Sequence, residues 1–284
     1  MVTQSGAVER PQPPRRRALA LLPLLLGLAP LPGRAECARP LVVPVAAIGY
    51  AVTVDADNRV GGIYPELLRA EAARAGCTID FQVVPRARQE MLFETGQADL
   101  LLPARRSTRR DVHGLFVSMI RSRAMLLSIQ PRPVLLHSLA ELLAHPELRV
   151  GVVRGYDYDE VYHAFVAQFS AQDRLTEASD PVSLARMLDA GIVDVAIVTP
   201  MTVTGVLRNN PKLSPLIERL HAEAAKELSW GESGAYVSRT SSLSDADRQR
   251  VEAMLERIGR SGAAWRAFQR YYPDRDLGDS VRGR

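Results

Sequence analysis

The stretch GQADLLLPARRSTRR (96–110) sets four arginines, Arg105, Arg106, Arg109 and Arg110, within six positions behind an apolar run. A planar guanidinium presents two parallel N–H donors that match the two oxygens of a carboxylate, so such a segment can clasp an acid. The bland alternative is a solvated charged face, the default for Arg105 and Arg109, with Arg110 paired to Asp111 or to solvent. A second candidate is RGYDYDE (154–160), where Gly155, Tyr156 and Asp157 fall between a strand and a helix. Helix-start N–H groups hold anions. Asp157 also suits an N-cap, with Glu160 three residues on completing a capping-box-like pair, and this capping role is the favoured one. Glu66 opens another helix, where its charge suits the dipole. The histidines at 113, 137, 145, 163 and 221 fall in helices or helix-flanking loops. No Ser-His-Asp order, carboxylate pair or metal-ligand spacing stands out, so neither an enzyme nor a metal or other cofactor is expected.

These residues hang on an alternation of strand and helix. LVVPVAAIGY reads as a first strand, YPELLRAEAARAG as a helix closed by Gly76, and TIDFQVV as a second strand. ARQEMLFETG is a helix ending at Gly96, and ADLLLP a third strand. After PRP at 131–133 a second set begins: SLAELLAHPE (helix), LRVGVV (strand), YDEVYHAFVAQF (helix), PVSLARMLDAG (helix) and VDVAIVT (strand). The order helix–Gly–x–x–Asp–apolar strand occurs twice, as MLFETGQADLLLP and MLDAGIVDVAIVT. GESGAYVSRT returns as a strand, and two helices broken at Gly262 follow. The pattern predicts an α/β chain of two lobes, each a mainly parallel sheet flanked by helices.

Residues 1–35 read differently. Arg15, Arg16 and Arg17 precede the uncharged apolar run ALALLPLLLGLAPLP, and small residues stand at Gly33 and Ala35. A signal peptide cut near Ala35, and hence export, is expected. The chain carries 36 Lys+Arg against 32 Asp+Glu. The leader holds the basic surplus, so the remainder is balanced and gives no support to nucleic-acid binding. The two cysteines, Cys37 and Cys77, each precede a strand; if those strands are parallel neighbours, the thiols meet at one end of the sheet as a disulfide.

The order and spacing of GGIYPELLRAEAARAG, PRARQEMLFETGQADLLLPARRSTRR, SLAELLAHPELRVGVVRGYDYDEVY, LARMLDAGIVDVAIV and GAAWRAFQRYYP resemble the periplasmic solute-binding proteins of the polar amino-acid type, from about residue 40 to 273. The resemblance implies a two-lobed fold closing on a small ligand. Lobe 1 would be discontinuous, 37–127 plus 228–284, and lobe 2 would span 128–227. In such folds ligands sit beyond the carboxyl ends of the strands, the place of Pro103 through Arg110. It implies Arg110, eleven residues after Asp99, as the carboxylate anchor, with Arg88, Arg105 and Arg106 as lesser candidates and Tyr50 as a stacking wall. Amino-acid binders of this kind carry an acidic residue for the ligand ammonium five positions after the second Gly-x-x-Asp aspartate. Here that position is Thr199, so either Asp157 compensates or the solute is anionic and lacks the ammonium. The expected partners are a small carboxylate-bearing ligand and a membrane permease or sensor in trans, with the protein monomeric in the periplasm. A dehydratase-like enzyme on the same scaffold is the rival reading.

Overall fold

Strand–helix alternation organises the computed structural model, which describes residues 1–3, 6, 36–129 and 135–284. The expected leader, apart from 1–3 and 6, and the PRP segment at 131–133 lie outside the described residues. Strand Leu41–Val45 runs parallel to Ile79–Val83, with Leu41 opposite Ile79. Parallel pairing puts the residues preceding both strands at one end, and Cys37 and Cys77 are indeed bridged there, their Cα atoms 4.8 Å apart. A four-stranded sheet lies alongside, in the order Val281–Gly283, Gly114–Ser122, Gly231–Ser238, Leu100–Arg105. Asp99 ties the two together: its N–H donates to Val42 O at 2.9 Å, and its carboxylate accepts the Val42 N–H at 2.7 Å.

The five-stranded sheet of the second lobe has the order His221–Glu223, Met125–Ser128, Val195–Val198, Val150–Val153, Leu175–Ala178. The other Gly-x-x-Asp aspartate makes the same latch here, Asp194 N–H to Arg149 O at 2.9 Å and Arg149 N–H to the Asp194 carboxylate at 2.8 Å. The repeated motif is thus a strand-edge fastener, used once in each sheet. Each aspartate also takes an arginine side chain, Arg39 or Arg149.

The four-stranded sheet is antiparallel throughout, and the five-stranded sheet is mixed rather than mainly parallel. Only the pairs built through helical crossovers are parallel; the long strands Gly114–Ser122 and Gly231–Ser238, which lead out of and back into the first sheet, pair antiparallel. Met125–Ser128 already belongs to the second sheet, so the outward crossing falls at 123–124 and the 127/128 boundary expected from the sequence lies inside a strand.

Each sheet packs its own apolar core. Leu41, Val43, Leu68, Val251 and Phe268 fill one, and Leu126, Val152, Tyr162 and Phe169 another. The C-terminal helices Asp245–Arg260 and Ala263–Tyr271 cover the first core, separated as expected at Gly262, whose φ of 68° is left-handed. Met201 of the second lobe joins the first core, and Tyr156 packs against the cores on both sides. Among the described residues no helix is long and apolar enough to cross a membrane.

Candidate functional site

A cavity of about 80 Å³ opens where the two lobes face each other. Arg86, Pro103, Arg105, Arg110 and Tyr64 line it from the first lobe, and Tyr156, Asp157, Tyr158, Thr199 and Met201 from the second. Strand ends position most of these residues. Leu100–Arg105 delivers Pro103 and Arg105, Val150–Val153 leads into Tyr156 and Asp157, and Val195–Val198 into Thr199.

Arg110 lies in the short helix Thr108–Asp111, only 1% exposed. Its partner is not Asp111. Nε and Nη2 donate to the two oxygens of Glu90 at 3.0 and 2.7 Å, and Nη1 donates to Arg105 O at 2.8 Å. The fork therefore already grips a carboxylate from its own chain. Glu90 is also bonded by buried Arg86 and by half-exposed Arg109. Burial raises the Glu90 pKa, but the charges of Arg86 and Arg110 outweigh it and hold the carboxyl below its ordinary value. Burial lowers the Arg110 pKa, and the Glu90 carboxylate more than reverses that.

Arg105 is not the solvated side chain expected of a charge run. It is 9% exposed, and it donates to Ser122 O at 2.7 Å and Ser229 O at 3.0 Å. Burial depresses its pKa. Gly231 makes room for it, since a Cβ there would sit 2.4 Å from the Arg105 Cζ. Arg106 points away from the cavity, exposed and paired with Asp111 at 3.2 Å.

Arg88 is also outside the lining, exposed and contacting Met91. Helix Arg86–Glu94 buries positions 86, 89, 90 and 93, one face at helical spacing, which turns Arg88 to solvent and Arg86 inward. Arg86 bonds Gln89 at 2.9 Å and Pro103 O at 3.0 Å. Sequence reasoning missed Arg86 and Glu90, although the phase of Gln89, Glu90 and Phe93 already marked the buried face. Tyr64, Tyr158 and Met201 were missed as well.

Tyr50 packs against Tyr271 and Tyr272, ring centroids 5.6 and 5.1 Å apart, and does not line the cavity. Gly155, with φ of 81°, brings its loop against the Ala87 backbone, where its carbonyl lies 3.5 Å from Arg86 Nε. Thr199 donates its N–H to Tyr158 Oη at 2.9 Å. Glu66 accepts the Tyr271 hydroxyl at 2.9 Å.

Asp157 is not the N-cap. Asp159 caps helix Glu160–Ala171, accepting the Tyr162 N–H at 2.8 Å, because the extra loop residues place the helix start two positions later. Asp157 instead reaches across to the first lobe, accepting Ser107 Oγ at 2.9 Å and Arg109 Nη2 at 3.4 Å, with His163 Nε2 at 2.9 Å on its own side. Burial would raise its pKa; the His163 contact, the Arg110 charge and the Ser107 hydroxyl together pull it well below the carboxylate range. A depressed folded-state pKa contributes stability above the unfolded value near 4, which is lost as pH falls further. Urea midpoints measured from pH 7 to pH 3 should therefore show Asp157→Asn about 2 kcal/mol less stable at neutral pH and converging on the parent in acid.

No protein-family profile and no curated protein matches this chain. Solved structures do. A histidine kinase sensor domain with similarity to periplasmic binding proteins is 19% identical over 83% of this chain and 96% of its own, with a TM-score of 0.64. EhuB in complex with hydroxyectoine is 16% identical over 84% and 91%, with a TM-score of 0.66. The substrate-binding protein of an ABC uptake transporter from Streptococcus pneumoniae, with bound histidine, is 11% identical over 81% and 92%, with a TM-score of 0.64. This chain has the two-lobed fold of the periplasmic binding proteins, the fold its sequence resemblance led one to expect.

Proposed function

We propose that the protein binds a small carboxylate-bearing solute by closing its lobes, 37–127 plus 228–284 and 128–227 as expected but with the outward crossing moved back to 123–124, and presents the closed form to a membrane permease of the ABC type. The observation that carries this reading is the cavity, walled by both lobes and bearing three buried guanidiniums. A ligand touching both walls stabilises closure by its differential contacts. The fold is shared with substrate-binding proteins for uptake, and the disulfide suits a periplasmic protein exported by a cleaved leader; a monomer is the proposed working form. Binding without turnover is the proposed role, the matched structures being described as binding and sensing proteins. A sensor role in trans is the second reading, favoured by the likeness to a kinase sensor domain.

Thermal unfolding against a broad panel of organic acids and amino acids, with small-angle scattering on each hit, tests the proposal. At least one short carboxylate should raise Tm by several degrees and shrink the radius of gyration. A chain that no solute stabilises would refute the binding role.

A further inference from the structure

The cavity's charges constrain what it can hold. The lining carboxylate, Asp157, is committed to Ser107, His163 and Arg109 with Arg110 at 3.9 Å, and Glu90, behind the lining, is committed to Arg86 and Arg110. An ammonium group entering here would find no carboxylate to spare, and burying it unpaired is costly.

The third buried cation is differently placed. Arg105 bonds only carbonyls, and the one carboxylate within 4 Å of it among the described residues is part-exposed Asp159, at 3.8 Å without a hydrogen bond. Arg86 and Arg110 thus each have a hydrogen-bonded carboxylate in Glu90, whereas Arg105 has none bonded to it. Only some of the five Arg105 N–H groups are used by those carbonyls, so the fork can still serve an anion.

A second observation points into the same space. The hydroxyls of Tyr64 and Tyr156 are buried without a hydrogen-bond partner, and both residues line the cavity. Tyr64 is 2% exposed, so water does not satisfy it from outside. Burial raises both phenol pKa values, so both keep their protons and act as donors. Ile48, Ala104, Ile120 and Met201 give the wall an apolar part, beside the hydroxyl side chains of Ser122, Thr199, Thr202 and Ser233.

We infer that the ligand is a short monocarboxylate bearing a hydroxyl or keto oxygen beside the carboxylate and no ammonium, held by Arg105 rather than Arg110, with its oxygens meeting the Tyr64 and Tyr156 hydroxyls. The inference rests on the solute-binding reading and narrows it. Arg105, with no carboxylate bonded to it, takes the carboxylate, the two phenols require acceptor oxygens, the apolar part of the wall takes a short alkyl end, and the cavity volume of about 80 Å³ keeps the molecule small.

Isothermal titration of the purified chain at pH 7 with lactate, pyruvate and glycolate, against alanine and glycine, tests it. At least one of the acids should bind, and the matched amino acid should bind at least about a hundredfold more weakly, as expected when a buried charge goes unpaired. Tyr64→Phe removes an unsatisfied hydroxyl, so without ligand its Tm should equal or exceed the parent's, while affinity for the bound acid falls about tenfold. Alanine binding as tightly as lactate would overturn the inference and leave the solute-binding reading standing. Failure of every panel member, together with the broad panel above, would overturn both. An unchanged affinity in folded Tyr64→Phe would remove the phenol from the site, and with it the argument for an acceptor oxygen.

Discussion

Replacing Glu90 with glutamine is expected to remove about 3–5 kcal/mol of folding stability, the effect of breaking a buried ion pair from one side. Glu90 is 5% exposed and sits among Arg86, Arg109 and Arg110. Glutamine keeps the size but takes from two buried guanidiniums the carboxylate they bond, leaving Arg110 only Asp157 at 3.9 Å. A urea titration reads the loss as a shift in midpoint at unchanged slope. Two companions sharpen the result. Arg110→Met should also be costly, against the simplest sequence-based expectation that Arg110 serves the ligand alone. The double variant should lose less than the two single losses combined, by about 1–3 kcal/mol, because the partners form one network. Formate added to a Glu90→Ala protein, in which the carboxylate's space is vacated, should recover part of the stability by supplying the missing carboxylate, with little effect on the parent. If Glu90→Gln is within a few tenths of a kcal/mol of the parent, the cluster is not the electrostatic unit described above.

That cluster also marks the limit of what the sequence could reveal. The strand–helix order, the paired glycine-and-aspartate fasteners, the break at Gly262 and the disulfide all follow from local rules: periodicity, stop signals, and the register of two parallel strands. Arg110 was visible as a guanidinium beyond a strand end, but its partner lies twenty residues earlier on another helix. No one-dimensional spacing names that pair. Arg86 and Arg88 are both arginines within one helical turn, and only the phase set by Phe93 decides which faces the cavity. Asp157 and Asp159 compete for one cap; the winner depends on where the loop ends, a boundary that sequence places only to within a residue or two. The two unpartnered phenols are invisible without the packing that desolvates them.

The second large effect comes from the opposite end of the first lobe. Cys37→Ser with Cys77→Ser is expected to destabilise the protein by about 4 kcal/mol, the chain-entropy value for a cross-link across a separation of 40 residues. The bridge joins the approach to strand Leu41–Val45 with the end of helix Ile63–Ala75, just before strand Ile79–Val83. Both cysteines precede parallel strands, whereas the cavity is built from residues that follow strands, such as Ile48 after Val45 and Pro103 through Arg105 at the end of Leu100–Arg105. Its loss should therefore act on the unfolded chain far more than on the site. Chemical denaturation should show the midpoint falling in the double variant, and the parent in reductant should match it. Ligand affinity, measured well below the unfolding transition, should change less than about twofold if the strand register is fixed by its own ladder and by the Asp99 fastener rather than by sulfur. A tenfold loss of affinity on reduction would instead mean that the cross-link holds the strand ends in the geometry the cavity requires.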